Sequence, residues 1–180
     1  MMNGDVYPLR TDYRVGIAYF TRLLRREEMT VQRSLQLWYP AEIPPDIDAA
    51  QEAVDWFFRC GAAPGKTNTA HEVPAYAYDV DAEAIIAAFQ REYGIDLTMT
   101  HLHWWRFCAL LQGLLTHSFT ERVRYRVCDA EGIKNAEVRS EYRKYKARYA
   151  LDATGRPTEK PETLDAYNEM LLRIARGEVR

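Results

Sequence analysis

Hydrophobic residues recur along this chain every three to four positions, which is the spacing of one face of an α-helix. The first such stripe consists of Tyr13, Ile17, Phe20 and Leu24. Asp12 precedes it and can accept a hydrogen bond from the first turn. The pattern therefore predicts a helix that begins directly after Asp12.

Two further amphipathic segments follow. Thr30 and Asp46 are suited to cap their first turns, and Pro40 and Gly61 are suited to end them. The predicted inward faces are Val31, Leu35 and Trp38 in one helix and Ile47, Ala50, Val54 and Phe57 in the other. The stretch from Gly61 to Pro74 is rich in Gly, Pro, Thr and Ala, so we expect a loop there.

A fourth helix is predicted to begin at Asp79 and to end at Gly94, with Ala82, Ile85, Ile86, Phe89 and Tyr93 as its apolar stripe. A fifth helix, capped by Thr98 or Thr100, is predicted over residues 99–115. This segment is apolar on nearly every side, which is typical of a buried central helix.

Two basic helices are predicted next. Ser118 and Glu121 have the spacing of a capping box. The first helix would point Phe119, Val123 and Val127 inward and Arg122, Arg124 and Arg126 outward. The second would point Val138, Tyr142, Tyr145 and Tyr149 inward.

No segment predicts a strand, so the sequence indicates an all-α fold. We expect a compact bundle of about seven helices around the central helix, formed by residues 1–150. Residues 151–160 are predicted to be a linker. Residues 161–180 are predicted to form a C-terminal helix with the stripe Leu164, Tyr167, Leu171 and Ile174.

Charge is distributed unevenly, although the formal net charge of the 180 residues is only −2. Residues 40–100 carry a net charge of −8, and residues 121–148 carry +4. These segments either attract each other within the fold, support self-association or partner steering, or form solvated faces. With no signal peptide and no apolar span, we expect a soluble, cytoplasmic protein.

Motifs for cofactors are weak. The segment Gly61–Thr67 resembles a phosphate-binding loop, but only three residues separate its glycines, and a helix precedes it. His101 and His103 lie on different sides of the predicted helix, so they are poorly placed to share a metal ion. We therefore expect no metal and no cofactor.

Catalytic patterns are also absent from the sequence. Cys60, Cys108 and Ser118 are the available nucleophiles, and none lies in a nucleophile-elbow motif. Asp79 and Asp81 are explained as residues of a helix start. The sequence therefore predicts a protein that is not an enzyme.

Protein-binding and nucleic-acid-binding surfaces remain as alternatives. The basic helices offer a phosphate-contacting face, but interspersed glutamates and helically spaced tyrosines favour an ordinary solvated surface. All four tryptophans are candidate interface residues. The predicted partner-binding residues are Trp104, Trp105, Arg143, Lys144, Leu164, Tyr167, Leu171 and Ile174.

The order of these segments resembles a known family. The most specific motif is Leu102-His103-Trp104-Trp105-Arg106-Phe107, preceded by Trp56-Phe57-Phe58-Arg59-Cys60-Gly61 and Tyr93-Gly94-Ile95-Asp96-Leu97. Over about residues 5–150 the chain resembles the bacteriophage gene-product-fifteen family of long-tailed phages and prophages of Gram-positive bacteria.

The resemblance implies a tail-module protein, encoded near the genes for the tail tube and tape measure. It implies a tail assembly chaperone that binds the tape measure protein, and possibly the tail tube subunit, with self-association as a further expectation. Two alternatives stay open: a structural tail or connector component of the virion, and a prophage regulator that binds DNA.

Overall fold

The computed structural model describes residues 6–28, 30–63, 73–115 and 118–158 of this chain. Within these ranges it contains seven helices and no β-strand, which confirms the predicted all-α fold. They are α1 (Tyr13–Arg25), α2 (Val31–Trp38), α3 (Ile47–Phe58), α4 (Ala82–Tyr93), α5 (Trp104–Gln112), α6 (Ser118–Val127) and α7 (Ala136–Tyr149). The predicted C-terminal helix, with Leu164, Tyr167, Leu171 and Ile174, lies outside the described residues.

Most predicted helix ends are confirmed. The side chains of Asp12, Thr30 and Asp46 each accept a hydrogen bond from a backbone N–H of the following turn, at 2.9, 3.2 and 3.1 Å. Gly94 ends α4 and Gly61 follows α3 with φ angles of 64° and 79°. Glycine adopts this left-handed conformation at little cost, which is why it ends helices.

The central helix is shorter than predicted. α5 begins at Trp104 instead of residue 99, and its cap is His103, whose Nδ1 accepts from Trp105 N (3.2 Å). Met99 and Leu115, at the two predicted ends, are 83% and 69% exposed. The predicted helix 99–115 was therefore wrong at both ends.

Pairing with α1 explains the late start of α5. Tyr13 N donates to Leu102 O (2.9 Å), and Trp104 N donates to Thr11 O (2.7 Å). The backbone around Leu102 is therefore extended against the residues that lead into α1. Asp96 closes a separate turn before it, where Thr100 N donates to Asp96 O (2.8 Å).

The core is built from aromatic rings that meet α5. Phe107 is fully buried and stacks on Tyr13 (centroids 4.8 Å apart) and on Phe89 (5.3 Å). α1 approaches α5 closely, because Gly16 lies against the Trp104 ring. Four predicted inward residues are corrected: Val31, Ile47, Val127 and Val138 are exposed.

Residues 151–158 form a closed turn on the surface of the bundle. Leu151 is buried and pairs with Pro157 in an isolated antiparallel bridge. Gly155, with a φ of 74°, packs against Leu24. The first part of the predicted linker therefore packs on the helical bundle. The division into domain, linker and terminal helix stays a prediction.

Candidate functional site

A buried ion pair joins the acidic and basic parts of the chain. Asp81 precedes α4, Arg126 lies in α6, and their side chains are 0% and 3% exposed. Arg126 Nη1 donates to Asp81 Oδ2 (2.6 Å), and Nη2 donates to Oδ1 (3.0 Å). This two-pronged geometry is the strongest form of carboxylate recognition by arginine.

Further polar groups complete the ion pair. Ala77 N donates to Asp81 Oδ2 (3.2 Å), and Arg122 Nη1 lies 3.6 Å from Oδ1. Arg126 also donates to two carbonyls, Tyr149 O (2.6 Å) and Ala75 O (3.2 Å). Because each charge has several partners, the pair is a structural bridge between α4, α6 and the end of α7.

The ion pair corrects two sequence interpretations. Asp81 was expected to cap α4, yet its side chain makes no capping hydrogen bond and instead binds Arg126. Arg126 was expected to point outward, yet it is buried. Of the alternatives for the uneven charge, attraction within the fold is the one that this contact demonstrates.

The rest of the basic surface is largely occupied by internal contacts. Arg143 Nε donates to Glu131 Oε1 (2.9 Å), Lys146 Nζ to Cys128 O (2.6 Å) and Arg139 Nη1 to Ile133 O (3.1 Å). Such contacts reduce the number of cations left to meet phosphates. Arg139, Arg143 and Lys146 are therefore held against the segment that connects α6 and α7.

The predicted tyrosine face of α7 is confirmed as a packing surface. Tyr125 of α6 contacts the rings of Tyr142 (5.1 Å), Tyr145 (4.8 Å) and Tyr149 (6.2 Å). Lys144, one of the predicted partner-binding residues, is exposed. It has no ion pair with any residue in the described part of the chain.

The adjacent tryptophans have different environments. Trp104 is 2% exposed, stacks on Phe58 (5.4 Å), and its indole N–H donates to Phe58 O (2.8 Å). It therefore belongs to the core and offers no surface to a partner. Trp105 is half-buried, and its indole N–H donates to Phe57 O (2.8 Å).

Trp105 and Trp56 together form an aromatic surface, which we call the tryptophan patch. Trp56 of α3 is 52% exposed and meets the Trp105 ring edge-on at 5.3 Å. Gly61 lies beside both rings, so no side chain covers them there. The predicted partner-binding residues do not include Trp56, although all four tryptophans were candidate interface residues.

Comparison of the chain with known protein families identifies its family. The family model described as "Bacteriophage Gp15 protein" matches residues 1–151. The chain belongs to this family. No curated protein and no solved structure matches it significantly. Membership makes this a bacteriophage protein, confirms the family resemblance, and indicates a structural or assembly-related role.

In this Gp15-family protein, His101 and His103 have local partners. His101 Nδ1 lies 2.5 Å from Asp12 Oδ2, and His103 caps α5. No group of three or more His, Cys, Asp or Glu residues suited to a metal ion occurs in the described ranges. None of the helices described is long and apolar enough to cross a membrane.

Cys108 should resist alkylation in the folded protein. Burial raises the pKa of its thiol, and the neighbouring Cys60 raises this pKa further. At pH 8 the raised pKa leaves less of the reactive thiolate. We expect iodoacetamide to leave Cys108 unmodified until urea is added, as measured by peptide mass spectrometry. Rapid labelling of Cys108 in the native protein would contradict this prediction.

Proposed function

We propose that this Gp15-family chain is a non-enzymatic tail-assembly protein, a chaperone that binds the tape measure protein. The tryptophan patch is the observation that carries the proposal. The Trp56 ring is exposed to solvent. The hydrogen bond from the Trp105 indole N–H to Phe57 O holds the adjacent Trp105 ring in place. Rigid, exposed tryptophans are the residues most enriched in binding hot spots.

The chemistry of the patch suits a helical partner. A tape measure is a long helical protein whose apolar faces need cover before the tail tube surrounds them. An amphipathic helix binds through a few apolar anchors that meet aromatic side chains. The indole N–H of Trp105 is already bonded to Phe57 O, so this residue contributes mainly ring surface to the patch.

Internal pairing of the charged residues supports a role without catalysis. The buried carboxylate of Asp81 is held by Arg126 and Ala77 N, which leaves it no position from which to act on a substrate. A catalytic acid or base needs reach to a reacting atom. The proposal includes tail tube subunits and further copies of this chain as additional partners.

Replacing Trp56 with alanine should weaken binding of tape-measure fragments by at least about tenfold. Half of this ring is exposed, so the fold should persist. The test is co-purification of the full chain with tape-measure fragments from the same phage, followed by titration. Met99→Ala is the matched control, because Met99 is another exposed apolar residue. Equal binding by both variants would exclude the tryptophan patch as the site.

The protein composition of mature particles distinguishes a chaperone from a structural component of the virion. A chaperone leaves before the tail is complete, so mass spectrometry of purified particles should find this chain absent or far below tail-tube levels. Stoichiometric amounts in the particle would overturn the chaperone proposal in favour of a structural tail or connector component.

A further inference from the structure

An apolar groove, which we call the α1–α4 groove, opens between these two helices. Its volume is about 350 Å³. The residues that form it include Tyr13, Ile17, Tyr78, Ile85, Ile86 and Phe107. Ile17 and Ile86 are half-buried and form its walls, while Phe107 and Ile85 are buried beneath them.

The polar groups at the groove already have partners. Asp79 forms an ion pair with Arg25, and Arg14 donates to Leu97 O (3.1 Å) and Thr100 O (3.2 Å). Thr98 donates its hydroxyl to Asp96. Small-molecule sites use unpaired polar groups to orient their ligand. The groove is therefore suited to aliphatic side chains from a protein segment.

The chain passes close to this groove where the described residues end. Arg25 bridges the two places: its Nη1 donates to Thr154 O (2.8 Å) in the turn 151–158, and its Nη2 binds Asp79 at the groove. Gly155 of the same turn packs against Leu24 of α1. One guanidinium thus separates the turn from the groove.

The remaining segment has the length and pattern to fill the groove. Six residues from Thr158 to Leu164 span at most about 20 Å when extended. The predicted stripe from Leu164 to Ile174 is about 15 Å long as a helix. Residues 159–180 carry five acidic and four basic residues, and a net charge of −1 offers little resistance to docking on a groove whose own charges are paired.

We propose that residues 161–180 dock in cis on the α1–α4 groove, with the stripe Leu164, Tyr167, Leu171 and Ile174 against Ile17 and Ile86. A short tether gives the segment an effective concentration of about millimolar, which favours it over a partner in solution. The groove is then covered in the free protein. This inference is independent of the chaperone role, because it concerns only this chain's own residues.

Methyl NMR of the full chain tests the docking. With isoleucine δ1 methyl groups labelled, Ile174 should give cross-peaks with Ile17 or Ile86. Leu171→Asp should shift the Ile17 and Ile86 signals and abolish these cross-peaks. Ala166→Asp introduces the same charge on the opposite face of the predicted helix, so it should leave them unchanged. Ile133, between α6 and α7, is the reference for an intact fold.

Two results would overturn the proposal. One is the absence of Ile174 cross-peaks together with unchanged Ile17 and Ile86 signals in Leu171→Asp. The other is a set of cross-peaks found only between differently labelled chains in a mixed sample, which would mean that a second copy fills the groove. Neither result bears on the Trp56 experiment, so the two proposals fail separately.

Discussion

Replacing Arg126 with alanine should lower the free energy of unfolding by about 3–5 kcal/mol, the usual cost of removing one partner from a buried ion pair. The variant leaves the Asp81 carboxylate fully buried with only Ala77 N and the more distant Arg122 to stabilise its charge. It also removes the donors to Tyr149 O and Ala75 O. Urea denaturation of the purified variant measures the loss.

Two further variants isolate the cause. Arg124→Ala removes an exposed arginine from the same helix, whose ion pair with Glu121 is long at 3.8 Å, so we expect at most about 1 kcal/mol. Asp81→Asn combined with Arg126→Ala removes the unpaired charge and should be less destabilised than Arg126→Ala alone. A loss for Arg126→Ala no larger than for Arg124→Ala would refute the role given to the pair.

Replacing Gly16 with alanine should destabilise the protein by about 1–3 kcal/mol, the cost of overpacking a core. A Cβ atom at this position would lie 2.2–2.6 Å from three carbon atoms of the Trp104 ring. Trp104 is unable to move freely, because its indole N–H is bonded to Phe58 O and its ring stacks on Phe58. α1 and α5 would therefore have to separate.

The direction of the stability change in Gly16→Ala distinguishes overpacking from the ordinary helix preference of alanine. In the middle of a helix, alanine is ordinarily more stable than glycine by roughly 0.5–1 kcal/mol. Thermal or urea unfolding of Gly16→Ala should show the opposite change. Gly132→Ala is the control: the nearest atom to its Cβ is a carboxylate oxygen of exposed Asp129 at 3.3 Å, which can move aside. A more stable Gly16→Ala would show that the close approach of α1 and α5 is absent.

The helices and their caps could be predicted because they depend on local spacing. Asp12, Thr30 and Asp46 act within their own first turns, so neighbouring residues suffice to identify them. The start of α5 depended on a distant contact instead. The bond from Tyr13 N to Leu102 O joins positions far apart in the chain, which no local pattern reveals.

The buried ion pair was missed because charge was taken as a sign of exposure. A constant spacing of four from Phe119 through Val123 predicts Val127 as the next inward residue. Residues on one face of a helix are instead separated by both three and four positions. Seven residues after Phe119 is Arg126, which therefore shares its buried side. The pattern thus contained the position of Arg126, although it did not identify Asp81 as its partner.

The candidate site could be predicted only in part. Both Trp104 and Trp105 were predicted to bind a partner, whereas burial assigns Trp104 to the core. The partner of Trp105 at the surface, Trp56, comes from another helix and depends on how α3 packs on α5. Sequence spacing contains no information about that packing angle.

The order of synthesis gives the buried ion pair a further consequence. Arg126 follows Asp81 by 45 residues, which take about 2–9 s to translate. During this time the Asp81 carboxylate lacks the guanidinium that binds it in the folded protein, so burying it would leave its charge unpaired. We therefore expect α4 to reach its final packing only after α6 has been synthesised.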